Sequence, residues 1–233
     1  MDSSNLDPML ISGLAVLIAV GIFFWTTKRS GTTDSQCAPR VRVRRSNSRY
    51  STIESGVRGE RTVQEELRRL KGRIINGYIT SENMFFDNQN FEIDFLVMVP
   101  DVGLVVAEVK NYSGQVYCTA GDEWRQVTGA GTEALRRNAS RQVLRTRALL
   151  KKMLMAHGLS RWPIIPLVIF VHPEARIFRG KGAAVPQTDI ITLSMFEGWL
   201  ESQRRKKGLG FDRNSFNSLH QLIKAHEREY KAA

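Results

Sequence analysis

Glu92–Lys110, EIDFLVMVPDVGLVVAEVK, holds two apolar runs around Pro100-Asp101-Val102-Gly103. The runs have the length and composition of β-strands, and Pro and Gly at these positions are turn chemistry, with Gly103 able to supply a positive φ. Strand side chains alternate faces, so Glu108 and Lys110 share one face and Ala107 and Val109 the other. Asp94 joins Glu108 and Lys110 only if the antiparallel register has an even index sum. A three-residue loop, Asp101–Gly103, achieves this with Pro100 opposite Leu104 and Asp94 opposite Lys110. A four-residue loop turns Asp94 to the other face. Ionisable groups in so apolar a hairpin need a partner or a metal, because burying a lone charge is costly.

Outward from the hairpin, Gly56–Lys71 carries Val63, Leu67 and Leu70 at helical spacing, and Gly72 ends that helix. Glu60 lies on the same stripe, either as a first-turn acid favoured by the helix dipole or as a site residue. Ile74–Ile79 is expected as a short strand, Ser81–Asn90 as a polar connection, and Asn111–Ala120 as a strand after a bend at Ser113-Gly114. Thr132 is expected to cap a long helix over Glu133–His157. Its core side holds Leu135, Ala139, Gln142, Thr146, Leu149 and Met153, so Gln142 is a polar residue in an apolar stripe. Arg137, Arg141, Arg145 and Lys152 form a flanking basic stripe, which is either a solvated face or a phosphate-contacting one. Trp162–Val171 is a buried strand, and a strand–helix–strand crossover implies parallel pairing. Arg176–Pro186 is expected as a basic loop, Ser194–Glu197 as a capping box, and Asn214–Tyr230 as a last amphipathic helix burying Phe216, Leu219, Ile223 and Tyr230.

The chain of 233 residues carries a net charge of +11, which favours an anionic partner, nucleic acid or an acidic membrane surface. Cys37 and Cys118 form no zinc or disulfide pattern, the histidines form no triad or metal spacing, and there is no P-loop. Met9–Trp25 is apolar and uncharged, and Lys28, Arg29, Arg40, Arg42, Arg44 and Arg45 all follow it. This pattern favours a transmembrane helix over a signal peptide and puts the bulk of the chain on the cytoplasmic side. The expected organisation is a membrane anchor over 1–27, a flexible basic linker over 28–55 able to touch anionic lipid, a core domain over 56–175, and a C-terminal loop and helical extension over 176–233. The expected location is the inner or cell membrane, single-pass.

Four segments together resemble the nuclease-related domain (NERD) family, a branch of the PD-(D/E)XK nucleases. They are Gly56–Glu60, Glu92–Asp94, Glu108–Asn111 and Asn138–Gln142. Ala139 departs from the proline often found at its position. The resemblance implies an α/β fold, a mixed β-sheet flanked by helices in the order α-β-β-β-α-β of restriction endonucleases. To this the chain adds the N-terminal transmembrane helix and the C-terminal helices. The resemblance also implies that Asp94 and Glu108, with the Val109 carbonyl, hold Mg²⁺ or Mn²⁺. Lys110 would then orient or deprotonate water or offset charge, Glu60 would act as an outer carboxylate or help with a second metal, and Gln142 would bond into the cluster or touch nucleic acid. The function expected on this basis is a membrane-anchored, metal-dependent endonuclease, DNA rather than RNA being its substrate. The alternatives are a catalytically silent nucleic-acid-binding module and a membrane scaffold of the same fold.

Overall fold

The two apolar runs pair as antiparallel strands in the middle of a sheet, in a computed structural model that describes residues 49–204 and 213–232. In chain order the elements are α1 (Arg49–Leu70), β1 (Gly77–Phe86), β2 (Gln89–Val99), β3 (Gly103–Lys110), β4 (Gln115–Cys118), β5 (Glu123–Val127), β6 (Glu133–Arg137), α2 (Ala139–Ala156), β7 (Ile164–Phe170), β8 (Arg176–Arg179), β9 (Asp189–Thr192), α3 (Phe196–Arg204) and α4 (Arg213–Ala232). A five-stranded sheet runs β1-β2-β3-β7-β9, and a four-stranded sheet runs β6-β5-β4-β8. The larger sheet is mixed. Its β1, β2 and β3 are antiparallel, while β7 is parallel to β3 and to β9, as a crossover connection requires.

Val99 pairs with Gly103 and Phe95 with Ala107, so the loop is Pro100–Val102 and not Asp101–Gly103. The register differs from the expected one, and continuing it places Asp94 opposite Glu108 rather than Lys110. The index sum stays even, which keeps Asp94 on the face of Glu108 and Lys110. Asp101 takes the left-handed conformation in the loop, and Gly103 has a φ of 121°. A Cβ at Gly103 would lie 2.6 Å from the Pro163 carbonyl oxygen, the acceptor of the Leu104 N–H that starts the β3–β7 pairing.

Alternation in β2 and β3 divides the core in two. Phe95, Val97, Val99, Val105, Ala107 and Val109 cluster with Val63, Leu67 and Leu70 of α1 and with Phe196 and Leu200 of α3. Leu96, Met98, Leu104 and Val106 cluster with Val143, Leu150 and Met153 of α2, Leu219 and Ile223 of α4, and Val116 and Trp124 of the smaller sheet. Val63, Leu67 and Leu70 have no exposure, and each such side chain contributes about 1.5–3 kcal/mol. The Trp124 and Phe170 rings stack 6.2 Å apart, joining the two sheets.

Several expectations are corrected. Ser81–Asn90 is not a connection but the two arms of a β1–β2 hairpin, whose turn residues Asp87 and Asn88 both have positive φ. Glu133–Arg137 is strand β6, and the helix starts at Ala139 with Asn138, not Thr132, as its cap. The good helix formers in Glu133–Arg137 gave a helical signal that pairing with β5 overrides. Arg176–Arg179 is a strand, and a 3₁₀ turn over Leu193–Met195 precedes α3 in place of a capping box. Helix α1 begins at Arg49, inside the expected linker. The Tyr230 side chain, the expected span Met9–Trp25 and most of the linker lie outside the described residues.

The described residues give the expected membrane anchor no support. Among the described residues no helix is long and apolar enough to cross a membrane. The longest, α1, carries Arg58, Glu60, Arg61, Glu65, Glu66, Arg68 and Arg69 around a single apolar stripe. Membrane attachment, single-pass location and lipid contact are therefore not carried forward.

Gly103→Ala is expected to destabilise the domain by about 2 kcal/mol or more, since it combines a strained φ with contact against a carbonyl oxygen. Urea denaturation checks this, and an unchanged midpoint would show that the turn can relax.

Candidate functional site

Pairing between β2 and β3 stops at Phe95–Ala107, one step before Asp94. The Val109 N–H donates instead to Asp94 Oδ2 at 2.8 Å. A side chain has replaced the ladder, so the strands part, and a cavity of about 370 Å³ opens at this end of the sheet. Helix α1 bounds one side. Gly59 lets it approach closely, because a Cβ there would lie 3.0 Å from Val171 Cγ2 and 3.1 Å from Asn111 Cβ. Asn111 Nδ2 donates to the Ser55 carbonyl at 2.9 Å and ties the second turn of the helix to the end of β3. The other side is the first turn of α2. Buried Asn138 accepts from the Arg141 N–H at 3.1 Å and donates to the Thr119 carbonyl at 3.0 Å, which fixes the helix start to the smaller sheet.

This arrangement brings Glu60, Asp94, Glu108, Val109, Lys110 and Gln142 to the wall of one cavity. Glu60 and Gln142 are exposed at its lip rather than buried in helix stripes. Glu108 is 5% exposed, and Lys110 Nζ donates to its Oε1 at 2.6 Å.

Burial dominates the electrostatics of the acids. It pushes Glu108 up from 4.5 to about 7, with the Asp94 carboxylate adding to the rise and Lys110 opposing it. Asp94 is raised by burial, against the Val109 N–H and Lys110. Glu60 is raised by partial loss of water and by the carboxylates of Asp94, Glu82 and Glu92. For Lys110 burial works against the charged form, but Glu108, Tyr112 and Asp94 outweigh it and the value is raised. The floor thus holds a firm cation beside acids that resist ionisation.

These donors do not fit the expected Mg²⁺ or Mn²⁺. Among the described residues no group of three or more His, Cys, Asp or Glu side chains could hold a metal ion. Lys110 occupies one oxygen of Glu108, the Val109 N–H occupies one of Asp94, and Val109 meets Asp94 through that N–H. The expectation of a metal-dependent endonuclease is corrected accordingly.

The expected basic stripe is divided. Arg137 stands on β6 and, with Arg145, Gln142 and Thr146, lines the groove that adjoins the cavity at Glu92. Among the described residues Arg145 bonds only neutral acceptors, Gln89 Oε1 at 3.3 Å and the Asn90 carbonyl at 3.5 Å. Arg141 pairs with Asp122, and Lys152 with Asp87 at 3.0 Å. Both of those pairs are exposed and so contribute little, about 0–1 kcal/mol each. Arg136 was missed from sequence. It lines the cavity, donates from Nε to Gln126 Oε1 at 2.7 Å, and lies over the Tyr112 ring. Strand alternation separates Arg136 from Arg137, a signal hidden by the helical reading of Glu133–Arg137.

The sequence profile of the nuclease-related domain (NERD) matches residues 55–171, half of the chain. No curated protein and no solved structure matches it.

The Glu108 value gives a pH test. Its folded value lies above its unfolded one, so the folded chain holds the proton between them. Its stabilising contribution is complete below about 4.5 and is lost as pH rises through about 7. Lys110, raised above 10.5, adds no slope in that window. Between pH 4.5 and 8 the wild type should lose on the order of 2–3 kcal/mol more stability than Glu108→Gln. Parallel stability–pH curves for the two proteins would mean that Glu108 stays ionised.

Proposed function

Because the chain belongs to the nuclease-related domain family, we propose that its domain is a nucleic-acid-binding module that receives the phosphate backbone along the groove beside the cavity. The observation that carries this reading is the position of Arg137 and Arg145, exposed on the groove wall and without an ion-pair partner among the described residues. Guanidinium groups left uncompensated can release counterions from a phosphate backbone, which supplies most sequence-independent affinity. Arg136 at the cavity mouth and the overall charge of +11 act in the same direction.

The acids on the cavity floor would repel phosphate if fully ionised. Burial raises Glu108 and Asp94 on the floor, and Lys110 faces Glu108 there, which weakens the opposition from the floor, while Glu60 and Glu92 stand exposed at the lip and oppose phosphate there. Gln142, placed between floor and groove, supplies a neutral donor and acceptor to a sugar or phosphate oxygen. Arg141 and Lys152 contribute more weakly, because each gives up a carboxylate partner when it turns to phosphate.

Arg137→Ala/Arg145→Ala is expected to weaken duplex binding about tenfold and to flatten the dependence of log K on log salt by roughly 1.8, the value for two lost phosphate contacts. Fluorescence anisotropy over a salt series measures both. An unaltered slope would place the contact surface elsewhere. Arg141→Ala/Lys152→Ala should change the slope by less.

A further inference from the structure

The smaller sheet turns one face toward the core and the other to solvent. Trp124, Gln126, Val116 and Cys118 are buried on the inner face. The outer face carries a cross-strand row in which Leu135 pairs with Arg125, Arg125 with Tyr117, and Tyr117 with Phe178. The Tyr117 and Phe178 rings stack 5.0 Å apart with 18° between their planes. The Arg125 guanidinium lies 4.2 Å from the centre of the Tyr117 ring, on Tyr117's other side in the order of strands. The row is therefore a standing stack, guanidinium on phenol on phenyl. Its last member, Phe178, is on edge strand β8 and is 44% exposed, and Leu135 at the opposite end is 66% exposed.

An exposed aromatic row on a solvent face is unfavourable in water without an occupant, and the surrounding chemistry selects one. Arg176 shares the outer face of β8 with Phe178, one strand repeat away, and has no ion pair among the described residues. Arg137 stands on the outer face of β6 and also lines the groove of the cavity. Arg125 is paired with Glu133 at 2.9 Å, an exposed pair that holds its plane on Tyr117. Cations spaced around stacked rings fit a flat, apolar base attached to a phosphate.

We infer that the Arg125–Tyr117–Phe178 stack takes an unpaired nucleobase against the open face of Phe178, with Arg176 meeting the adjoining phosphate, so that the domain prefers single-stranded nucleic acid. This inference rests on the nucleic-acid-binding reading above and adds the strandedness of the ligand. A duplex keeps its bases stacked on one another and offers Phe178 nothing. A single strand can splay a base onto the row while its backbone follows Arg176 or Arg137. DNA and RNA present the same ring face, and the stack alone accepts either.

The test is anisotropy with labelled oligothymidylate, oligouridylate and a short DNA duplex, using the full chain and its Phe178→Leu and Phe178→Trp variants. Leu keeps apolar bulk on an edge strand but has no ring to stack. Phe178→Leu should weaken binding of both single strands about tenfold and leave the duplex within about twofold. Phe178→Trp should bind the single strands at least as well as the wild type. Equal single-strand affinity for Phe178→Leu and wild type would overturn the stack while leaving the groove reading intact. So would an equal loss for both variants, or a loss shared by the duplex. Failure of the wild type to bind any of the probes would remove the nucleic-acid reading itself. A concentration-dependent dimer dissolved by Phe178→Leu, with unchanged oligonucleotide affinity, would instead assign the row to contact between copies of the chain.

Discussion

The hydrogen bond from the Val109 N–H to the Asp94 carboxylate determines where the central hairpin stops being a hairpin. Backbone pairing runs from Val99–Gly103 to Phe95–Ala107 and then gives way to this side-chain acceptor. A continued ladder would close the end of the sheet. The bond instead satisfies a half-buried donor while letting β2 diverge, and the divergence leaves room for Glu108 and Lys110 to face one another. On its other edge β3 stays firmly held, with Lys110 paired to Phe170 and its carbonyl accepting from the Val171 N–H at 3.0 Å. The polar cluster thus has a rigid back and an open front.

Burial gives that cluster its chemical character. Four nearby acids, Glu60, Glu92, Asp94 and Glu108, would ordinarily make a strongly anionic pit, which would suit a cation and repel a phosphate. Here desolvation raises Glu60, Asp94 and Glu108, and Lys110 spends its charge on Glu108. A buried pair of this kind adds little net stability, because desolvation offsets the attraction, but removing one partner is costly. The arginines that remain available to a polyanion lie outside the pit, on β6 and α2, where water and ligand can reach them. Affinity on this account comes from the rim, and the floor sets only how strongly the rim is opposed.

The hairpin, the face shared by Asp94, Glu108 and Lys110, the α1 stripe and the parallel β3–β7 crossover were all legible in the sequence. Each follows from alternation, helical spacing or connection rules that act locally. Other features were not legible, for identifiable reasons. Glu133–Arg137 consists of good helix formers, and only pairing with β5 makes it a strand, so helical spacing hides Arg136 and assigns Arg137 to a helix. The hairpin register depended on which three of four turn residues form the loop, and Asp101 accepted a left-handed conformation that glycine was expected to supply. The metal expectation came from residue types in a familiar order. It failed on the partners those residues take, Lys110 and the Val109 N–H, which no spacing reveals.

The two sheets meet the proposed ligand in different ways, and Arg137 is their common residue. It belongs to the outer face of the smaller sheet and also to the groove beside the cavity of the larger one. Amide hydrogen exchange with and without a saturating oligonucleotide tests this account most directly, since it reports where the ligand sits without altering a residue. Protection should concentrate in β6 and the first turns of α2, Glu133–Arg145, and leave the α1–α3 contact around Arg69 and Glu197 unchanged. Protection confined to that opposite contact, or absent from Glu133–Arg145, would contradict it.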